Sequence, residues 1–566
     1  MIRMRWLALA AVLAVVAAAC GTTAETTTTT AGQTTTSTTA APTTTGTTMV
    51  DFEGSSFSAE SCDYGGRVLS VEATGQYEVT FTLCSPTPAF QQIVAFTPFG
   101  IQPEEHLEAS GGAPLDNPIG TGPFVLDAWT RGSDITFSAN ADYWGDAPAF
   151  NTLVFRWAAE SATRLVDLQA GTVDMITNLA TNDIATVEAD PNLQLLPVRN
   201  PNVFYLGMAN TLAPFDNPDV RRAIAMGIDR QAIVDNFYPA GSEVASHFTP
   251  CSLENGCEGD AWHEYDPDTA AQMIEDAGAA GAEVVIYYRN VFRVYLPEPA
   301  AVAQEIAQQL TDNLGLNASV QEMESAAFIE AATVNVELPM YLLGWGADYP
   351  HITNFLDFHF GGDNPQFGTP DPSYVDPIRE ASAIADPAVA APLYADANNA
   401  LREVVPMVPI AHGAAVSASL ATVEGADPWP VFGAPQFELM NPGKDTLVFM
   451  QNNEPISLYC ADESDGESLA ACQQVLEPLL EYDLEGNVVP ALATGCESNE
   501  DGTVWTCALR EGVSFHDGSS FDANDVVANW NVWMDAAHPL HVGNTGAFFY
   551  PSYLWGGLIN APETEE

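Results

Sequence analysis

The segment of the chain that decides its fold is EVVIYYRNVFRVYLPEPAAVAQEIAQQLTDNLGLNASVQEMESAAFIEAATVNVELPMYLLGW, residues 283–345. Its first residues, EVVIYY, are mostly β-branched or aromatic, and such a short apolar run predicts a strand. Apolar residues then recur at every fourth position from Val302 to Leu314, and Gly315 follows. This spacing predicts an amphipathic helix that ends at the glycine.

The rest of the segment repeats this alternation. Residues 318–321 predict a second strand, residues 326–334 a second helix, and residues 340–345 a third, buried strand. Strands that alternate with helices imply a parallel sheet with right-handed crossovers. Ligands bind beyond the carboxyl ends of the strands in such sheets. We therefore expect the loop that begins at Trp345 to lie at a ligand-binding edge.

The composition narrows the classes of function. The 566 residues include 75 acids and only 16 bases, which gives a formal net charge of −59. Nucleic acid is excluded as a partner because its binding requires basic groups that neutralise phosphates. The acids are dispersed along the chain, which indicates a solvated, self-repelling surface. A chain of this length exceeds what one core organises, so we expect at least two lobes.

The N-terminus carries the features of an export signal. Two arginines precede an apolar run, residues 6–16, and three alanines lead to Cys20. A secretory signal has this form, and the run is too short to cross a bilayer. The cysteine after small residues resembles the bacterial lipobox, which implies a lipid anchor at Cys20. The alternative is an ordinary cleaved signal with an incidental cysteine. Residues 1–20 are thus interpreted as a lipoprotein signal peptide, and the Thr-rich residues 21–50 as a solvated linker.

The remaining cysteines predict disulfides, because an exported chain folds in an oxidising compartment. Cys496 and Cys507 flank a turn signal between two strand-like runs, so they are expected to face each other across a hairpin. Short spacing favours Cys251 with Cys257, and elimination leaves Cys62 with Cys84 and Cys460 with Cys472. No CxxC occurs, so a zinc site is not predicted.

Patterns typical of enzymes are missing from the sequence. It contains neither the GxSxG motif nor the HExxH motif. In so acidic a chain, pairs of carboxylates arise by chance, so they do not indicate a glycosidase. His351 and His359 follow Trp345 and allow the idea of a nickel or haem site, but two separate histidines are a weak basis for it. We expect a protein that is not an enzyme, with no metal site and no cofactor.

Several segments resemble one protein family, the extracellular solute-binding proteins that serve ABC importers of oligopeptides, dipeptides and nickel. The similar segments are residues 117–124 (NPIGTGPF), 140–144 (NADYW), 170–174 (AGTVD), 215–230 (FDNPDVRRAIAMGIDR), 344–350 (GWGADYP) and 509–518 (LREGVSFHDG). Together they span nearly all of residues 51–566. The resemblance implies an α/β, two-lobed fold of the type II periplasmic-binding-protein kind, with mixed sheets and lobes that close around a ligand.

The order of these segments differs from the family pattern. The segment at 509–518 normally lies near the start of such proteins, and residues 445–566 resemble the family's N-terminal part. We interpret this as a circular permutation, which is feasible because chain termini often lie close together; the alternative is an order introduced when the sequence was assembled. Lobe one then comprises residues 51–203 and 415–566, and lobe two residues 204–414. The chain is expected to cross between lobes near 202–206 and 406–410.

The resemblance also implies a binding site. In the peptide-binding members, the Asp of the segment that matches residues 344–350 receives the ligand's α-ammonium group, which places this role on Asp348. A carboxylate in a closed cleft offers a charge-assisted hydrogen bond to an amine. Trp345 and Tyr349 are expected to wall the pocket. Ser457 and Tyr459, in the loop after the strand that begins at Thr446, are further candidates for ligand contact.

The predicted function is therefore an extracytoplasmic, membrane-anchored lipoprotein that captures peptides and delivers them to the permease of an ABC importer. We expect a monomer. Two alternatives stay open: a binder of another small solute, such as a sugar or metal chelate, on the same scaffold, or a surface sensor or adhesion protein that does not transport.

Overall fold

The computed structural model describes residues 52–362, 364–427 and 430–562. The predicted signal peptide, the predicted linker and Cys20 lie outside the described residues. The strands, numbered in chain order, are β1 Ser56–Ser58, β2 Val68–Gly75, β3 Glu78–Leu83, β4 Phe124–Thr130, β5 Asp134–Ala139, β6 Thr152–Trp157, β7 Met175–Ile176, β8 Leu193–Val198, β9 Asn202–Met208, β10 Glu243–Val244, β11 Glu283–Tyr288, β12 Asn317–Glu322, β13 Met340–Gly346, β14 Met407–His412, β15 Ala415–Leu420, β16 Thr446–Gln451, β17 Leu480–Tyr482, β18 Val488–Pro490, β19 Ala493–Ser498 and β20 Val504–Leu509.

Helices connect and cover these strands. The α-helices are α1 Phe90–Val94, α2 Glu104–Ala109, α3 Ser161–Gln169, α4 Ile184–Glu188, α5 Pro218–Gly227, α6 Arg230–Phe237, α7 Pro267–Asp276, α8 Pro299–Leu314, α9 Ser325–Ile329, α10 Leu356–Phe360, α11 Pro372–Ala381, α12 Pro387–Val404, α13 Gly466–Cys472, α14 Ala523–Met534 and α15 Phe549–Leu554. Short 3₁₀ turns span Cys62–Tyr64, Thr97–Phe99, Thr181–Asp183, Ile352–Asn354, Phe437–Leu439 and Cys460–Asp462, and a π-helical turn spans Glu330–Val334.

The segment 283–345 folds as its periodicity predicts. Strand β11 pairs in parallel with both β12 and β13. Helix α8 begins at Pro299, whose missing N–H is no loss in a first turn, and ends at Gly315 with a left-handed φ of 64°. Two details differ from the prediction. The second helix, α9, ends at Ile329 and continues as the π-helical turn. Strand β13 runs to Gly346, so the loop begins after Gly346 and not at Trp345.

The sheet around this segment has six strands in the order β10-β14-β9-β13-β11-β12. It is mixed, because β9 is antiparallel to both of its neighbours, β13 and β14. All residues of β9 are buried, so this strand forms the centre of the sheet.

Two other sheets combine distant parts of the chain. The seven-stranded sheet has the order β4-β5-β6-β16-β7-β15-β8, and the five-stranded sheet has the order β1-β2-β3-β20-β19. Strand β16 lies in the middle of the first and is parallel to both β6 and β7. Strand β20 pairs with β3 in the second. Residues 445–566 therefore complete both sheets that residues 56–198 begin.

The chain passes between the seven-stranded and six-stranded sheets twice, after β8 over residues 199–201 and before β15 over residues 413–414. The crossings were expected near 202–206 and 406–410, but those apolar runs are the buried strands β9 and β14. The two crossings are adjacent, because the Asn202 side chain donates to Gly413 O at 2.6 Å and accepts from Gly413 N at 2.8 Å.

Four disulfides join the pairs expected from spacing, Cys62–Cys84, Cys251–Cys257, Cys460–Cys472 and Cys496–Cys507. Cys496 and Cys507 are direct partners in the ladder between β19 and β20. Among the described residues, no helix combines the length and the apolar character needed to cross a membrane.

Candidate functional site

A cleft with a volume of about 380 Å³ opens beyond the carboxyl end of β13. This size suits a small ligand. Its walls come from separate parts of the fold: the loop after β13, the first crossing, strand β16, helix α13 and helix α15. The residues that represent these parts are Ala347, Asp348, Val198, Asn200, Phe449, Gln451, Glu467, Leu469, Gln473 and Tyr550.

Asp348 presents its carboxylate to the cleft and is held there by two side chains. Asn354 Nδ2 donates to Asp348 Oδ2 at 3.0 Å, and Asn354 Oδ1 accepts from the backbone N–H of Asp348 at 3.0 Å. Tyr550 OH donates to Asp348 Oδ1 at 3.2 Å. Asn354 is only 1% exposed and is fixed at the end of a 3₁₀ turn. The carboxylate therefore has a fixed orientation before any ligand arrives.

Burial raises the pKa of Asp348 to about 6, although the hydrogen bonds from Asn354 and Tyr550 act in the opposite direction. Within the described part of the chain, no basic side chain forms an ion pair with this carboxylate. The group is ionised at neutral pH and its charge is unbalanced. A ligand ammonium group would supply the missing charge through a charge-assisted hydrogen bond.

Trp345 and Tyr349 support Asp348 from behind, and neither is among the residues that line this cleft. The Trp345 indole stacks on Phe358 with ring centroids 4.6 Å apart, and its N–H donates to Asn354 Oδ1 at 3.0 Å. The Tyr349 hydroxyl pairs with the Thr353 hydroxyl at 3.1 Å, and its ring lines a second cavity. Direct contact of these two rings with cargo stays a prediction.

Ser457 and Tyr459 are each 1% exposed and lie in packed surroundings. Ser457 Oγ accepts from Tyr459 N at 3.2 Å, and the Tyr459 ring packs edge-on against Phe548 at 5.8 Å. Neither side chain lines the cleft in this structure. A role for them in ligand binding also stays a prediction.

Two residues of the site have no direct signal in the sequence. Asn354 follows Asp348 by six positions, and only the hydrogen bond in the folded protein shows that it holds the carboxylate. Tyr550 is separated from Asp348 by 202 positions, and a tertiary contact of this range has no periodic signature. A tyrosine near the end of the chain is one of 17 in the sequence, so composition does not single it out.

The two histidines considered for a metal or haem are both engaged inside the protein. Burial lowers the pKa of His351 to about 4 and that of His359 to about 3, so both rings are neutral at pH 7. One nitrogen of His351 bonds the Thr353 hydroxyl, and one of His359 bonds Phe355 O. A separate His247–Cys251–Cys257 cluster has metal-ligand residue types, but both of its cysteines are in a disulfide.

The protein has mixed α/β sheets, a chain that crosses twice between them, and a cleft beside the crossings. These features define a two-lobed solute-binding protein of the type II periplasmic class. The family model described as bacterial extracellular solute-binding proteins, family 5 Middle, matches residues 24–367 and 487–549. This match covers well over half of the chain, so the chain belongs to that family, whose members are extracytoplasmic binding proteins.

Relatives of the chain include proteins for different cargoes. The di/tripeptide-binding protein 1 of Pseudomonas aeruginosa is 30% identical over 389 residues, which are 67% of this chain and 72% of the relative. The heme-binding protein A of Haemophilus influenzae is 28% identical and matches 63% of this chain and 66% of its own. The crystal structure of the dipeptide binding protein of Pseudoalteromonas sp. SM9913 in complex with Met-Leu has a TM-score of 0.56, with 25% identity, over 66% of this chain and 74% of that chain.

Proposed function

We propose that the protein captures short peptides in the cleft for an ABC importer, and that Asp348 receives the peptide's α-ammonium group. The observation that carries this proposal is the preoriented, unbalanced carboxylate of Asp348 facing a cavity of about 380 Å³. An N-terminal ammonium is the group of a peptide that matches it in charge and hydrogen bonding. The names of the di/tripeptide-binding relative and of the Met-Leu complex support the same cargo class.

A decisive experiment titrates the purified protein with di- and tripeptides by calorimetry. Asp348→Ala and Asp348→Asn are expected to weaken binding at least tenfold, because a charge-assisted hydrogen bond to the ammonium is lost. N-acetylated peptides, which lack the charge, should fail to bind the native protein. The matched control is Glu188→Ala, an exposed acid at the end of α4. Unchanged affinity in folded Asp348→Ala would remove the assigned role.

Another small solute on the same scaffold is the second candidate, and the heme-binding relative supports keeping it. Native mass spectrometry of protein purified from its own host distinguishes the two. A mixture of short peptides supports the first proposal, whereas one chelate or sugar supports the second. An empty cleft would favour a sensor or adhesion protein.

The same proposal includes the route to the cell surface. A signal peptide over residues 1–20, lipidation of Cys20 and a Thr-rich linker over 21–50 would hold a monomeric receptor close to its permease. Metabolic labelling with a fatty acid tests the anchor. Cys20→Ser is expected to abolish incorporation and to release the protein from the membrane fraction.

We also propose that the chain is a circular permutant, in which lobe one comprises residues 51–203 and 415–566 and lobe two residues 204–414. The central position of β16 supports this order, because a strand from the segment that resembles the family's start lies between β6 and β7. Two hydrogen bonds support the expectation that the new ends of a permuted chain are neighbours. Ser55 N donates to Asn524 Oδ1 at 2.8 Å, and Arg67 N donates to Trp555 O at 2.7 Å.

Rearranging the gene tests the permutation. A chain in which residues 443–566 precede residues 51–442 restores the family order and keeps Lys444. If the proposal is correct, this chain forms the same four disulfides and binds the same peptides within about twofold. A reordered chain that does not fold, beside a native chain that does, would contradict the proposal.

A further inference from the structure

A second cavity, with a volume of about 420 Å³, lies on the other side of the Asp348–Tyr349 segment. These two adjacent residues face different spaces, because Asp348 lines the cleft and Tyr349 lines the second cavity. Helix α15 separates the spaces in the same way, with Tyr550 in the cleft and Tyr553 in the second cavity. The second cavity is thus a distinct space that shares its walls with the cleft.

A basic and an acidic side chain line this cavity and form no ion pair with each other. Arg67, just before β2, and Asp357, in α10, both line it. The Arg67 guanidinium forms no ion pair with any side chain of the described residues. Asp357 Oδ1 is shielded from solvent and has no hydrogen-bond partner in the described part of the chain. A buried acceptor that stays unpaired destabilises the empty protein, so the carboxyl gains from a cation that enters the cavity.

Burial raises the pKa of Asp357 to about 7, while the Arg67 charge and the Ser382 hydroxyl act in the opposite direction. Both groups line the same cavity. A ligand cation beside Asp357 would hold it in the ionised form.

Aromatic rings form the apolar side of the cavity. Phe358 and Tyr553 both line it, and their rings meet edge to face at 4.9 Å. Trp345 stacks behind Phe358 with centroids 4.6 Å apart. These contacts keep the ring surfaces in place, so an apolar group that enters the cavity finds a preformed wall.

From this geometry we propose that the second cavity binds a free, zwitterionic α-amino acid with an apolar side chain. Its carboxylate pairs with Arg67, its ammonium group with Asp357, and its side chain packs on Phe358 and Tyr553. The arrangement matches one cation, one anion and one apolar surface in the cavity with the three groups of such a ligand. This site goes beyond the proposed peptide cleft and stands without it.

The test titrates the full chain with L-phenylalanine by calorimetry, in an Asp348→Ala background that removes the cleft's carboxylate. One saturable site is expected. Phenethylamine and 3-phenylpropionate each keep one of the two charges and should bind at least tenfold more weakly than L-phenylalanine. N-acetyl-phenylalanine amide, which keeps neither charge, should not bind.

Two further variants test whether Arg67 and Asp357 hold the two charged groups of the ligand. Arg67→Gln and Asp357→Asn, each added to Asp348→Ala, should weaken L-phenylalanine binding at least tenfold, and Arg156→Gln, at an exposed arginine of β6, should leave it unchanged. Unfolding midpoints identify any variant that does not fold. If Arg67→Gln does not fold, the near-isosteric Asp357→Asn still tests the site. Absence of L-phenylalanine binding, or binding that survives in both folded variants, would overturn the proposal. Titration of the native protein with di- or tripeptides tests the proposed peptide binding in the cleft separately.

Discussion

At the scale of single residues, the chemistry of the cleft depends on the ionisation of Asp348. Its pKa of about 6 means that the carboxyl becomes protonated in mildly acidic solution. Below that pH the ionised fraction falls about tenfold per unit, and so should the affinity for a peptide ammonium group. Calorimetry between pH 5 and 7 checks this expectation. The Asp348→Asn protein, which has nothing to titrate at this position, should give a flat and weak profile.

Tyr550 supplies a second prediction at this scale. Tyr550→Phe removes the hydrogen bond that stabilises the ionised form of Asp348, so the pKa of that carboxyl should rise. Peptide binding at pH 7 should weaken by about 0.5–1.5 kcal/mol, and the pH profile should move upward. Tyr77→Phe, in the turn between β2 and β3, is the matched control. A profile identical to that of the native protein would show that the Tyr550 hydroxyl does not act on Asp348.

The residues of the site were only partly predictable. Asp348 lies in a motif of a known family, so the role proposed for it follows from the sequence. Asn354 and Tyr550 act through tertiary contacts that leave no periodic pattern in the sequence. Trp345 and Tyr349 lie in the same motif, and tertiary contacts that the motif does not encode hold them: Trp345 stacks on Phe358, and the Tyr349 hydroxyl pairs with that of Thr353.

At the scale of elements, the start of β16 depends on one ion pair. Lys444, the only lysine of the chain, lies 2.8 Å from Asp174, a residue that is 1% exposed and also accepts from Val448 N. Lys444→Met leaves this buried carboxylate without its cation and is expected to lower the free energy of unfolding by about 1–3 kcal/mol. Chemical denaturation measures the change. Lys444→Arg, which keeps the charge, should lose much less; equal losses in the two variants would rule out the ion pair as the cause.

Elements with a clear period were well predicted, and the crossings were not. Strand β11 and helix α8 follow from residue type and apolar spacing, because buried positions alternate along the strand and recur along one face of the helix. The sequence predicts crossings near 202–206 and 406–410. The chain crosses just outside these runs, at 199–201 and 413–414, because the runs themselves belong to β9 and β14. Burial and crossing both favour apolar or extended residues, and spacing alone does not separate them.

At the scale of the whole molecule, acids dominate the response to pH. Burial raises the pKa of Asp357, Glu477 and Asp525 to about 7 in each case. Their folded pKa values exceed the unfolded ones, so the stability they contribute is present at low pH and is lost as the pH rises through about 7. Protonation also relieves the repulsion within a chain of charge −59.

The unfolding midpoint should therefore rise when the pH is lowered from 8 to 5. The gain should end below about pH 4, because hydrogen bonds from Thr269 and Thr503 lower the pKa values of Asp266 and Asp501, whose contribution is lost on protonation. Thermal denaturation at constant ionic strength measures this profile. Asp357→Asn should reduce the difference between pH 5 and pH 8; a profile that rises steadily toward pH 8 would contradict the account.

The residues that line the cleft belong to parts of the chain that are synthesised at different times. A nascent chain that has reached β16 already contains Asp348 but lacks both Glu467 and Tyr550. Such an intermediate has no closed space in which a peptide could lodge. Under the proposed function, a peptide can therefore be held only after the segment that contains Glu467 and Tyr550 has been made and has folded.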